Sequence, residues 1–259
     1  AAPELLRPAR WGDLARLLTL QQYLDPALTA AVNLPLWSLT TEVHFYLLAP
    51  LVAWALPRVG GWRLVAPAAA LAVWWVHTDD RGPLAAGLLP GRLDQFLLGA
   101  AAGALIASST PGRLVRLLAH RAALLVLGAA LLAIGTFHGA TYQSGATGLL
   151  PLLVHPAAGL VVAGLLVHLT RGPEVPLLLR PPLAWFGRIS FSLYLWHYPV
   201  LDHGLGALGA RTPVGLVALA TVALVALSVA VAAAAEALVE RPAARRKARR
   251  ARRRSAVLE

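Results

Sequence analysis

The sequence predicts an all-α, polytopic transmembrane helix bundle, and three observations predict it. Of 259 residues, 58% are hydrophobic and 14% charged, against about a quarter charged in an ordinary soluble domain, so a water-facing surface could not be covered. The apolar residues gather into blocks of about 17 to 25, the length a helix needs to cross hydrocarbon, and Val214 to Ala235 passes without a charge. The alternation of a membrane barrel is absent, and a segment in lipid must bond its own backbone polar groups, which leaves helices.

Spans are expected near Leu36–Leu56, Leu64–His77, Gln95–Ala107, Ala122–Phe137, Leu149–Leu169, Ile189–Leu201 and Val214–Ala235. Pro57, Gly82-Pro83, Pro111-Gly112, Gly172-Pro173 and Pro181-Pro182 punctuate the connections. Residues 1–35 hold no span and read as an extracytoplasmic or interfacial segment. Within them Trp11, Leu14, Leu17, Leu18 and Leu20 with Arg10 and Arg16 fit an amphipathic surface helix or a plain loop. Residues 36–237 form the membrane domain and 238–259 a basic tail.

The seven spans create two alternating sets of loops, and basic residues choose between them. One set, including the tail, holds 17 Lys and Arg and the other 6, which places the C-terminus in the cytoplasm and Ala1 outside. Nine of the 23 basic residues lie between Arg241 and Arg254. Directly after a span, this run reads as an anchor on anionic membrane lipid, not as a nucleic-acid patch. Cysteine is absent, which excludes thiol nucleophiles and cysteine metal sites. Methionine is absent even at position 1, so the chain is expected to start inside its gene product.

Three segments carry polar groups that a membrane helix does not need for spanning. In Asn33 to Tyr46, Pro35 suits the first turn of a helix. Ser38, Glu42 and Phe45 or Tyr46 share a face, with Trp37 and Thr41 beside it. Glu42 lies roughly 9 Å along the helix, where a carboxylate faces a wet cavity as an acid or base, or else snorkels and pairs with Arg. In Arg92 to Gly99, Arg92 suits an anionic or hydroxyl-rich substrate group, or pairs with Asp94. Gly99 and Gly103 form a small-residue face expected to pack helices. In Gly187 to Pro199, Ser190, Tyr194 and His197 recur at i, i+4 and i+7, a polar stripe that either lines a site or packs by hydrogen bonds. Pro199 is expected to bend this helix. His138, His155 and His168 share no metal-ligand spacing, so no metal site is assigned.

These segments resemble a known family. Pro35-Leu36-Trp37-Ser38-Leu39 with Glu42 and Phe45-Tyr46 is similar to the PLWSLxxExxFYL segment of the bacterial acyltransferase-3 family of membrane O-acyltransferases. Gly187 to Pro199 resembles its GxISYSLYLWHxP signature, and Val239-Glu240-Arg241-Pro242 its closing VErP. Arg92 with Phe96 and Gly99 also fits. The resemblance implies a multi-pass protein of the bacterial cytoplasmic membrane, with ten spans of which seven remain here. It implies an acyl-CoA donor, acetyl-CoA by family habit, no bound cofactor, and a glycan or small-molecule hydroxyl acceptor.

It further implies Glu42 and His197 as catalytic residues and Trp37, Ser38, Tyr46, Arg92 and Tyr194 as substrate-binding ones. The family's histidine motif of the first span, regarded as catalytic, would lie upstream of Ala1, so the chain alone is expected to be inactive. Thr41 and His44 depart from the acidic residue and Gln of many relatives. A transporter or flippase, or a non-catalytic scaffold, is the alternative that the same spans and intramembrane charges allow.

Overall fold

The computed structural model describes residues 11–21, 35–77, 88–144, 149–209 and 212–258. Among them the chain is helical and contains no strand. The helices are α1 (Trp11–Leu18), α2 (Leu36–Val59), α3 (Gly61–His77), α4 (Leu93–Ala107), α5 (Arg113–Leu118), α6 (Arg121–Ser144), α7 (Leu149–Arg171), α8 (Pro176–Leu179), α9 (Pro181–Gly206), α10 (Val214–Ala235) and α11 (Arg241–Leu258). Each of the seven expected spans is a helix. Four are both long and apolar enough to cross a membrane, in α2, α6, α7 and α10, while α3 and α4 are shorter apolar helices. Their flanks confirm the environment: Leu132 on α6 is 71% exposed and Val222 on α10 67%, surfaces that water would penalise and lipid accepts.

The ends of the helices follow local chemistry. Gly60 stops α2 with a φ of +91° and sends its N–H to Leu56 O at 3.1 Å, a left-handed cap that costs glycine nothing. Pro181 and Pro182 were expected to punctuate a connection but instead start α9, because a missing N–H is harmless in the first turn. Prolines 50, 57, 67, 156 and 199 lie inside helices, and α9 continues through Pro199 to Gly206. The basic tail is itself helical. α10 runs through a π-helical turn, Glu236–Glu240, directly into α11.

The chain divides into two compact units, one formed by residues 16–24 and 37–175 and the other by 1–15, 25–36 and 176–259. In the first, α4 packs on α3 and α7, and α7 on α5 and α6. Its core is Ala102, Val115 and Val167, ringed by Leu105, Ile106, Leu118 and Ala163. Arg171 seals one end: its guanidinium donates to the carbonyls of Ile106 and Ser108, where α4 leaves backbone acceptors unsatisfied.

The close approach of α4 and α7 uses Gly159, whose added Cβ would lie 3.0 Å from Leu98 Cδ1. Gly99 and Gly103 do not form the expected packing face. A Cβ on either meets nothing within 4 Å, because the buried face of α4 carries Leu97, Leu98 and Ala102 instead.

His168, 1% exposed, donates from Nδ1 to Leu118 O at 2.7 Å. His168→Ala should lower stability by about 2 kcal/mol, the scale of an orphaned buried acceptor, read as a fall in melting temperature in nanodiscs. In the second unit α9 packs along α10.

Candidate active site

In the first unit the i, i+4 geometry of α2 joins two of the expected residues. The Tyr46 hydroxyl donates to Glu42 Oε1, with Glu42 partly buried and Tyr46 exposed. Ser38, one turn earlier on the same face, is partly buried. Thr41 and Thr40 are buried and satisfied, Thr41 Oγ1 by Trp37 O and Thr40 Oγ1 by Leu20 O. Phe45 stacks on Phe96 with centroids 4.4 Å apart, which ties α2 to α4. The guanidinium of Arg92 lies 5.8 Å from the Trp37 ring, within cation–π reach.

Arg92 stands at the N-cap of α4, after the 3₁₀ turn Leu89–Gly91. Burial lowers its pKa from the ordinary value, and the Asp94 charge opposes that shift. Beside it Gln95 Nε2 donates to His155 O at 3.3 Å, and the His138 and His155 rings meet edge to face at 5.4 Å. Sequence spacing had left these two histidines scattered. Only the packing of α6 on α7 brings residues 17 apart in sequence into one pair.

In the second unit the polar stripe of α9 lines a groove of about 430 Å³ against α10, with Ser190, Tyr194 and His197 from α9 and Val225, Ser228 and Val229 from α10. The Tyr194 hydroxyl donates to Pro35 O at 3.1 Å, and its ring centroid is 6.0 Å from that of His197. His197 Nδ1 lies 3.0 Å from Leu193 O and 2.8 Å from Tyr194 O. Carbonyls only accept, so in these contacts Nδ1 carries a proton and donates it.

The closing Val239-Glu240-Arg241-Pro242 segment gains a structural meaning that its sequence lacks. Ser192, 2% exposed, donates to Glu240 Oε1, and Glu236 takes Arg241 Nη2 at 3.0 Å. Both acids lie in the π turn, whose wider winding lets them point at α9 and Arg241 in succession. Ser192 is off the Ser190–Tyr194–His197 stripe, so helical periodicity did not single it out.

The expected site residues thus fall into two clusters. Trp37, Ser38, Glu42, Tyr46 and Arg92 belong to the unit of residues 37–175, and Tyr194 and His197 to the unit of residues 176–259. An acyltransferase-domain family model matches residues 7–233, a stretch that contains both clusters and nearly the whole chain.

The chain belongs to the acyltransferase-3 family.

No curated protein and no solved structure matches it. This acyltransferase-3 member is a membrane acyltransferase whose groups other than aminoacyl pass from an acyl donor to a hydroxyl acceptor. Such a reaction needs a base for the hydroxyl proton and polar contacts for the acceptor.

Proposed function

We propose that this acyltransferase moves acetyl from acetyl-CoA to a hydroxyl of an extracytoplasmic glycan or lipid-linked acceptor, in a cytoplasmic membrane with the C-terminal helix on the inner side. The observation that carries the reading is the anchored His197 ring, which lines the groove of α9 and α10 with its Nδ1–H held by two backbone carbonyls. Nε2 takes the proton of the acceptor hydroxyl as its oxygen bonds to the thioester carbonyl carbon. The carbon–sulfur bond then breaks, and the proton returns to the departing thiolate. Tyr46 and Tyr194 commit their hydroxyl protons to Glu42 and Pro35, so they serve as positioning groups. Within the unit of residues 37–175, Glu42 holds Tyr46 in place, and Arg92 with Trp37 offers polar and aromatic contacts to a hydroxyl-bearing ligand.

The orientation rests on the 17-to-6 division of basic residues and on exposed Arg245, Arg246, Lys247 and Arg249 of α11, which suit an anionic lipid surface. Membranes carrying the protein should transfer label from radiolabelled acetyl-CoA into alkali-labile esters of the glycan or lipid fraction. Correctly inserted protein that produces no labelled ester would remove acetyl-CoA as donor. Labelled ester that persists in His197→Ala would remove the base.

A further inference from the structure

We infer that Asp94 is a substrate-binding residue, the hydroxyl-reading member of a neutral polyol subsite formed with Arg92 and Trp37. This deepens the proposed transfer to a hydroxyl acceptor and rests on it.

Asp94 is 1% exposed, and neither carboxylate oxygen has a hydrogen-bond partner; Arg92 Nε is buried and equally unpartnered. Burial pushes the Asp94 carboxyl above its usual range, opposed in part by the backbone N–H groups of Gln95 and Asp94 and by the Arg92 charge, and neither N–H reaches hydrogen-bond geometry. Buried carboxylates are normally satisfied within the fold, and this chain follows the rule elsewhere: Glu236 holds Arg241, and Glu240 takes the Ser192 hydroxyl. Asp94 departs from that pattern in the one cluster where the cation–aromatic contact of Arg92 and Trp37 already stands. An unsatisfied buried carboxyl group is costly to keep, and a ligand that satisfies it gains binding from that same cost.

Charge decides the class of ligand. A cation would suit Asp94 and be repelled by Arg92, whereas a phosphate or carboxylate would suit Arg92 and be repelled by Asp94. A pair of neighbouring hydroxyls satisfies both, since one O–H donates to the carboxylate and another oxygen accepts from Arg92 Nε. The Trp37 ring offers an apolar face for the C–H side of a sugar ring. Trp37 and Arg92 are both partly exposed.

The test uses the protein in nanodiscs, with radiolabelled acetyl-CoA as donor and two neutral oligosaccharides, chitotriose and maltotriose, as acceptor probes. Total glycan and lipid esters are scored in parallel. Asp94→Asn, nearly isosteric and uncharged, should raise the acceptor KM at least about 10-fold. The KM for acetyl-CoA should stay unchanged and the melting temperature should hold or rise, because a buried charge has been removed. Asp94→Glu should recover part of the acceptor affinity. An unchanged acceptor KM in Asp94→Asn overturns the inference, as does a fall in melting temperature with a parallel fall in kcat, which is the mark of a purely structural carboxylate. Wild-type protein that labels native membrane esters but neither oligosaccharide also overturns it while leaving acyl transfer standing. Wild-type protein that labels nothing rejects the proposed transfer itself.

Discussion

His197→Ala is expected to lower acyl transfer by roughly 10²- to 10⁴-fold, the range that a positioned general base supplies. The effect should fall on kcat, since the imidazole acts in the proton transfer and the groove around it keeps most of its lining. Stability should change little. The two bonds of His197 run to carbonyls of its own helix, Leu193 and Tyr194, so no interhelical contact is broken. Single-turnover transfer of labelled acetyl at saturating acceptor, beside a melting curve, separates the two effects. A His197→Ala protein that folds and turns over normally would place the base elsewhere. A second variant adds a sharper comparison. His197→Gln keeps a polar side chain of similar reach but no basic nitrogen, so it should be as impaired as alanine.

Glu42→Gln should reduce transfer by about 10-fold or more. The reduction follows from the Tyr46–Glu42 bond: a carboxylate acceptor holds a phenol roughly twice as strongly as a neutral one, and Tyr46 is otherwise an exposed ring on the flank of α2. Tyr46→Phe, which deletes the same bond from the other side, should show a loss of similar size. If the two residues act as one unit, the double variant should be no worse than Glu42→Gln, because the second change has nothing left to remove. Additive losses in this cycle would mean that Glu42 acts on something other than Tyr46. A normal rate in Glu42→Gln would take the carboxylate out of the reaction.

The site was legible in the sequence wherever its partners share one helix. Glu42 and Tyr46 were placed on one face by a separation of four residues, and they bond there. Ser190, Tyr194 and His197 formed a stripe by spacing alone, and they line one groove. Where partners come from different helices, spacing had nothing to measure. The His138–His155 ring contact, the Ser192–Glu240 bond and the Arg171 cap on α4 each join residues from separate elements. Asp94 was read only as a possible partner of Arg92, because a sequence reveals an acid but not whether its oxygens are satisfied. Gly99 and Gly103 show the converse error: small residues spaced for close packing pack nothing when the buried face of their helix is the opposite one.

By itself the sequence determined the membrane class, the helical spans with most of their ends, the family, and the grouping of side chains along each helix. These follow from quantities that are local to the chain, namely apolar length against bilayer thickness and the 3.6-residue turn. The tertiary structure alone decided which face of each helix is buried, which polar groups find partners across helices, and which among the described residues, the Asp94 oxygens and Arg92 Nε, are buried without any. Those outcomes depend on the rotation and depth of one helix against the next, set by the summed packing of many side chains, and no spacing within a single helix encodes them.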